Sequence, residues 1–193
     1  MVSKAKTRSP GSIYQLRISL KETEPEIWRR VLVRGSTSLH KLHLVIQDVM
    51  GWTNSHLYEF EIRGERFEAP DPEAEGQDST RAKLDGFGLE VNDTFLYTYD
   101  FGDYWQHVLV VEARLRAERS RFYPYCVAGE RACPPEDCGG VAMFAELLAA
   151  LSNPTDPQYS ELLEWVDPGY DPAAFDVRPV NRNLELAHRS GAV

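Results

Sequence analysis

The sequence predicts an α+β protein: a mixed or antiparallel sheet with a β-grasp-like β-β-α-β start, and helices packed toward the C-terminus. Three observations carry that expectation. Up to Leu115 the apolar residues recur mostly with period two. A single stretch of helical period interrupts them between Ser36 and Gly51. Beyond Leu115 the periodicity lapses and then returns as helical runs.

"IYQLRISL" (13–20) sets Tyr14, Leu16, Ile18 and Leu20 opposite Ile13, Gln15, Arg17 and Ser19, the alternation of a half-buried strand. "KETEPE" is a turn, since Pro25 is barred from a ladder interior. "IWRRVLVR" (27–34) returns as the second strand of an antiparallel hairpin. In "STSLHKLHLVIQDVMG", Leu39, Leu42, Ile46 and Val49 have helical spacing, with Ser36 or Ser38 as N-cap and Gly51 as the stop. His40 and His43 are expected at the exposed edge of that helix, and Trp52 as a core or rim aromatic. "HLYEFEIRG" (56–64) reads as a third strand, and the acidic residues 65–80 as a solvated loop. "FLYTYDF" and "HVLVVEARL" are two further strands. In the C-terminal half, "VAMFAELLAALS" and "PQYSELLEWV" are helices and "DPAAFDVRPVNRNLELAHRS" a partly helical tail. Leu147, Leu151, Leu162, Leu163, Trp165 and Phe175 are expected to pack this half onto the sheet.

The length of 193 residues suits one domain, taken as 13–188 after a disordered leader at 1–12. The leader has lysines but no apolar core, so it is not a secretory signal, and no run approaches the length of a membrane span. A soluble, cytoplasmic protein is expected. The net charge of −9 is uneven: residues 1–34 hold eight Lys/Arg against three acids, and the rest is strongly acidic. Nucleic acid is therefore a poor partner, because phosphate contacts need clustered cations. Arg17, Lys21, Arg29, Arg30 and Arg34 are read as charges on the solvent face of the first hairpin, with a local basic patch as the alternative.

Two segments hold the candidate chemistry. "YDFGDYWQH" (99–107) contains Asp-Phe-Gly, but the glycine-rich loop, strand lysine and His-Arg-Asp loop of a kinase are missing. Its structural reading is the turn of a hairpin, a seven-residue connection from Asp100 to Gln106. Phe95, Tyr97 and Tyr99 face one way on the first strand, and His107, Leu109 and Val111 share a face of the second. Asp103 is expected to accept hydrogen bonds from loop amides, with Trp105 covering the loop. Its catalytic reading makes His107 a base oriented by Asp100 or Asp103, with Cys133 or Glu136 and Asp137 nearby. The second segment spaces Cys126, Cys133 and Cys138 within thirteen residues, an odd count that argues against disulfides. Those thiols with His107, or else His56, as fourth ligand are the candidate zinc site; buried free thiols are the other reading. Gly139-Gly140 before a helix is read as a plain turn rather than a phosphate cradle.

The blocks "SLHKLHLVIQDVMGWTNSHLYEF", "YDFGDYWQHVLVVE", "CVAGERACPPEDCGG" and "YDPAAFDVRPVN", in that order, resemble the plasmid pRiA4b Orf-three-like family from about Tyr14 to Leu186. The resemblance implies a bacterial or archaeal accessory or mobile-element context, and a regular occurrence of the Cys126 and Cys133 positions more than of Cys138. It implies no reaction. The resolvase-like label some members carry would need a nucleophile ringed by arginines and a basic recognition helix, and neither is found. Two functions stay open: a binding or interaction module for a protein or small-molecule partner, and a zinc-dependent enzyme, a hydrolase, built on the His107 loop and the cysteine segment.

Overall fold

The computed structural model describes residues 12–71, 74–157, 160–163, 166–191 and 193. Residues 1–11 of the expected leader and Trp165 lie outside them. The elements are β1 (Ser12–Leu20), β2 (Trp28–Arg34), α1 (Leu39–Met50), β3 (Tyr58–Ile62), β4 (Glu65–Glu68), β5 (Gln77–Asp78), β6 (Thr94–Tyr99), β7 (Trp105–Arg116), β8 (Tyr125–Glu130), α2 (Gly140–Ser152), α3 (Ser160–Leu163) and α4 (Val177–Ser190). They form an α+β fold around one eight-stranded sheet of order β5-β4-β3-β6-β7-β1-β2-β8. Every pairing is antiparallel except β4 with β5. The element order does begin β-β-α-β, but β6 and β7 separate β3 from the first hairpin, so the β-grasp-like start is not confirmed.

The period-two pattern of β1 becomes a two-faced strand. Tyr14, Leu16, Ile18 and Leu20 point into the main core with Val31 and Val33 of β2 and Leu109 and Val111 of β7. α1 lies on that inner side and buries Leu39, Leu42, Val45, Ile46 and Val49. It begins where the Ser38 hydroxyl accepts the Lys41 N–H and ends at Gly51, whose φ of 94° suits a residue without Cβ. Phe144 and Leu147 of α2 and Leu184 of α4 join the same core, and Leu151, Leu162 and Phe175 pack against it.

The outer face of the sheet carries polar side chains beside a small apolar cluster of Ile13, Leu32 and Tyr123. There Arg30 Nη2 meets Glu112 Oε1 at 2.7 Å, and Arg17 pairs with Glu26 at 2.7 Å. The Trp28 ring lies between the Arg17 and Arg30 guanidinium groups, at 4.2 and 5.1 Å from its centroid. Arg29 departs from the expected solvent face: strand parity turns it inward, and it is 1% exposed. Its Nε donates to Val49 O at 2.7 Å, and its Nη1 to Trp28 O and Glu130 O at 2.8 Å each. A cation beneath the last turn of α1 is also favoured by the helix dipole.

Three strands escaped the sequence reading. The acidic stretch 65–80, expected as a loop, contains β4 and β5, held by pairing with β3 and with each other. β8 lies in a segment without periodicity and forms a sheet edge. That edge is covered by a side chain: Asn181 of α4 accepts the Cys126 N–H and donates to Cys126 O, both at 2.8 Å. The amide thus stands in for a neighbouring strand.

Candidate functional site

The β6–β7 hairpin pairs Tyr99 with Trp105, so its turn is the five residues Asp100–Tyr104 rather than seven. Trp105 is not a cover for the turn but is 0% exposed, packed edge-on to Phe144. His107 faces inward with Leu109 and Val111, as its parity predicts, and is 0% exposed. Its Nδ1 lies 3.3 Å from Tyr97 O, which makes it the donor, and Nε2 has no hydrogen-bond partner. Burial holds the imidazole pKa down to about 3, so it stays neutral in a closed apolar setting.

The three cysteines are free and buried. The Cys126 sulfur faces Ala128 O, and the Cys133 sulfur lies 3.2 Å from Met50 Sδ. Burial pushes Cys126 up to about 11, and Cys133 and Cys138 up to about 12. Among the described residues these thiols and His107 are not drawn into one ligand group.

A different group is. Asp100, Asp137 and His56 bring one ligand atom each to within 4.8 Å of one another. His56 precedes β3, Asp100 follows β6, and Asp137 lies on the segment leading to α2. His56 Nε2 is 3.0 Å from Asp137 Oδ1, 3.7 Å from Asp100 Oδ2 and 4.0 Å from Glu136 Oε2. The nitrogen is closed to solvent yet makes no hydrogen bond, so the nearest carboxylate, though within ion-pair range, is out of line with it. Asp100 is held from its other side: with φ at 56°, its Oδ1 accepts the Gly102 N–H at 2.9 Å, which turns Oδ2 toward His56. Glu136 is anchored through Oε1, which accepts from Thr53 N at 2.7 Å, Thr53 Oγ1 at 3.1 Å and the Tyr99 hydroxyl at 3.1 Å.

Asp103, the other acid of the turn, does a positioning task. Its Oδ2 accepts the Gly139 N–H at 3.0 Å, rather than amides of its own loop. Gly140 follows with φ at 76°, and a Cβ there would stand 2.7 Å from Asp103 O. The Gly-Gly pair is therefore the close approach that docks α2 on the hairpin turn, not a phosphate cradle.

His43, expected at an exposed edge, is 0% exposed because it sits one residue from Leu42 on the inward stripe of α1. Its ring stacks on Tyr58 at 3.7 Å. Its Nε2 donates to Asn54 Oδ1 at 2.6 Å and its Nδ1 accepts from the Tyr97 hydroxyl at 2.7 Å, the arrangement of a neutral ring. Burial holds its pKa down to about 4. Every polar atom of that ring is partnered, which marks a structural network. His40 donates to or accepts from the Tyr58 hydroxyl at 2.9 Å.

Beside the acidic group is a cleft of about 580 Å³, lined among others by Asp48, Trp52, Glu136, Tyr170, Phe175 and Val180. Arg29 forms its floor, with the Phe175 ring 4.0 Å above the guanidinium. Among the described residues neither Asp48 nor Glu136 is within ion-pair range of a Lys or Arg, and burial raises the Asp48 pKa. Asp48 and Trp52 carried no motif by which the sequence could flag them; Glu136 and Asp137 were flagged, though as neighbours of His107.

The family model described as plasmid pRiA4b ORF-3-like protein matches residues 12–179. The uncharacterised protein y4hQ of Sinorhizobium fredii is 37% identical over 180 residues, covering 91% of this chain and 92% of that protein. The crystal structure of MM3350, a protein of unknown function from Methanosarcina mazei Go1, matches with a TM-score of 0.80 and 35% identity, over 87% of this chain and 97% of that one. Among the described residues no helix is long and apolar enough to cross a membrane. The chain belongs to the plasmid pRiA4b ORF-3-like family.

Proposed function

We propose that this chain is a binding module, and that its ligand is a small molecule with an aromatic or apolar body and a basic group, taken up in the 580 Å³ cleft. The observation that carries the reading is the pairing of ring and aliphatic walls with carboxylates that, among the described residues, have no Lys or Arg partner. Trp52, Phe175 and Val180 offer apolar surface, and Asp48 and Glu136 offer carboxylates that no Lys or Arg among the described residues pairs with. Clefts of this size that combine apolar walls with a few polar groups are the usual form of small-ligand sites. The Arg29 charge does not oppose a cationic ligand strongly, because three main-chain carbonyls and the Phe175 ring already surround it.

What supports binding over hydrolysis at His107 and the cysteines is their chemistry. His107 is held neutral in the core with no face toward solvent, and Cys133, though it borders the cleft, is kept protonated by burial and so is a poor nucleophile. The overall charge of −9 also draws cations rather than polyanions.

The test is a thermal-shift series at low ionic strength with aromatic amines and their isosteric carboxylates. Amines should raise Tm, by a stabilisation near 2.7 kcal/mol at about a hundred times Kd, and the gain should vanish in Asp48→Asn. No shift with any amine at millimolar concentration would sink the reading, as would carboxylates binding equally well.

A further inference from the structure

We propose that His56, Asp100 and Asp137 form a binding site for one first-row divalent cation of the zinc or manganese class, with Glu136 Oε2 as the adjacent fourth donor. This site goes beyond the ligand cleft and uses other residues, Glu136 being the only side chain between them.

The spacing of the donors is the first argument. Bonds of about 2.1 Å from a metal to N and O place neighbouring ligand atoms about 3.0 Å apart in an octahedron and about 3.4 Å apart in a tetrahedron. Here His56 Nε2 stands 3.0, 3.7 and 4.0 Å from the three carboxylate oxygens. Shifts of about half an ångström, within the reach of side-chain torsions, bring these nitrogen-to-oxygen distances into that range, and the ligand atoms of His56, Asp100 and Asp137 all lie within 4.8 Å of one another.

The second argument is the state of the donors without an ion. His56 Nε2 is shut off from solvent and makes no hydrogen bond, a condition buried polar atoms rarely tolerate unless something else is meant to meet them. Asp100, whose side chain is only 9% exposed, spends Oδ1 on the Gly102 amide and leaves Oδ2 facing that nitrogen. Its conformation is thus set before any ligand arrives, as outer contacts do for metal ligands.

Charge is the third. Asp100, Glu136 and Asp137 surround a single imidazole, and among the described residues no Lys or Arg forms an ion pair with any of them. A divalent ion balances what the imidazole alone does not. The nitrogen donor turns the preference from calcium and magnesium toward first-row transition ions. Asp137 is 73% exposed, so the ion would have an open side and keep a position for water or an incoming donor. The same ion would tie together three elements distant in sequence: the lead into β3, the end of β6 and the approach to α2.

The experiment is titration of the metal-free full chain with Co2+, Zn2+ and Mn2+, followed by calorimetry and, for Co2+, by visible absorption, with Mg2+ and Ca2+ as controls. One transition ion per chain is expected, with N/O-type cobalt bands. Affinity should fall about tenfold or more in Asp137→Asn and in His56→Gln, and stay unchanged in Cys138→Ser. Asp137→Asn changes an exposed side chain, so its folding is not in question even if His56→Gln proves unstable. No binding at millimolar ion overturns the proposal. So does binding that survives Asp137→Asn undiminished, and so does a thiolate-to-cobalt band lost in Cys138→Ser. Asp48→Asn, which tests the cleft, should leave ion affinity intact, so either idea can fail alone.

Discussion

Lowering the pH from neutrality should destabilise this protein steeply, because two histidines are folded into the core in neutral form. Burial holds His43 down to about 4 and His107 down to about 3, against about 6.5 in an unfolded chain. Between the unfolded and folded values the unfolded chain binds more protons, so stability is fully present above about pH 6.5 and falls as pH drops through that window. With both rings counted, the slope between pH 6 and 4.5 is about 2.5 kcal/mol per pH unit. Over two units that is about 5 kcal/mol, comparable to the whole stability of many domains. Burial of Asp48 and Glu59 raises their pKa and pulls weakly the other way, while the Arg30 hydrogen bond that lowers Glu112 adds to the loss in acid. The assay is urea unfolding at half-unit intervals from pH 7 to 4.5. His107→Gln keeps a donor for Tyr97 O and removes one titration, so its slope should be about half that of the parent. A parent slope under about 1 kcal/mol per unit, or equal slopes in the two proteins, would refute the claim that His107 is buried neutral.

The remaining predictions concern the thiols and the floor of the cleft. At pH 8 a thiol with a pKa of 11–12 is thiolate to about one part in a thousand or less, so the native cysteines should react with a disulfide reagent at least about 100-fold more slowly than in the unfolded chain; rapid labelling of any one in the native state would restore the nucleophile reading. Arg29→Met removes three hydrogen bonds to main-chain carbonyls, one buried and two partly buried, and should cost about 3–5 kcal/mol in urea unfolding, with Arg29→Lys regaining less than half, since one ammonium cannot span them. A loss below about 1 kcal/mol would mean that relief of the guanidinium desolvation outweighs those bonds.

Much of the fold was legible in the chain because local periodicity carries it. β1, β2, α1, β6 and β7 follow from spacings within each segment, and Ser38 and Gly51 bound α1 as their chemistry requires. β4, β5 and β8 were not legible. They are short or lie at sheet edges, and their order comes from hydrogen bonds lent by a partner strand or, for β8, by Asn181 from 55 residues away. Side-chain fate divides the same way. Parity alone placed His107 inward, but His43 could be assigned to the core only once Tyr58, Tyr97 and Asn54 were known to converge on it.

The site shows where sequence stops. Composition and spacing identified the carriers of chemistry: three cysteines, His56, Asp100, His107, Glu136 and Asp137. They could not tell which belong together, because proximity along the chain is not proximity of donor atoms. The register of β6 against β7 sets His107 opposite Tyr97 within the ladder, facing the core. A left-handed residue at position 100 and the Asx bond to Gly102 swing the neighbouring carboxylate out to His56 instead. By itself the sequence determined the α+β class, the alternating inward faces, the family and the list of reactive side chains. Tertiary structure alone decided the pairing, since only strand register and backbone handedness set which side chains share a cavity and which are sealed apart.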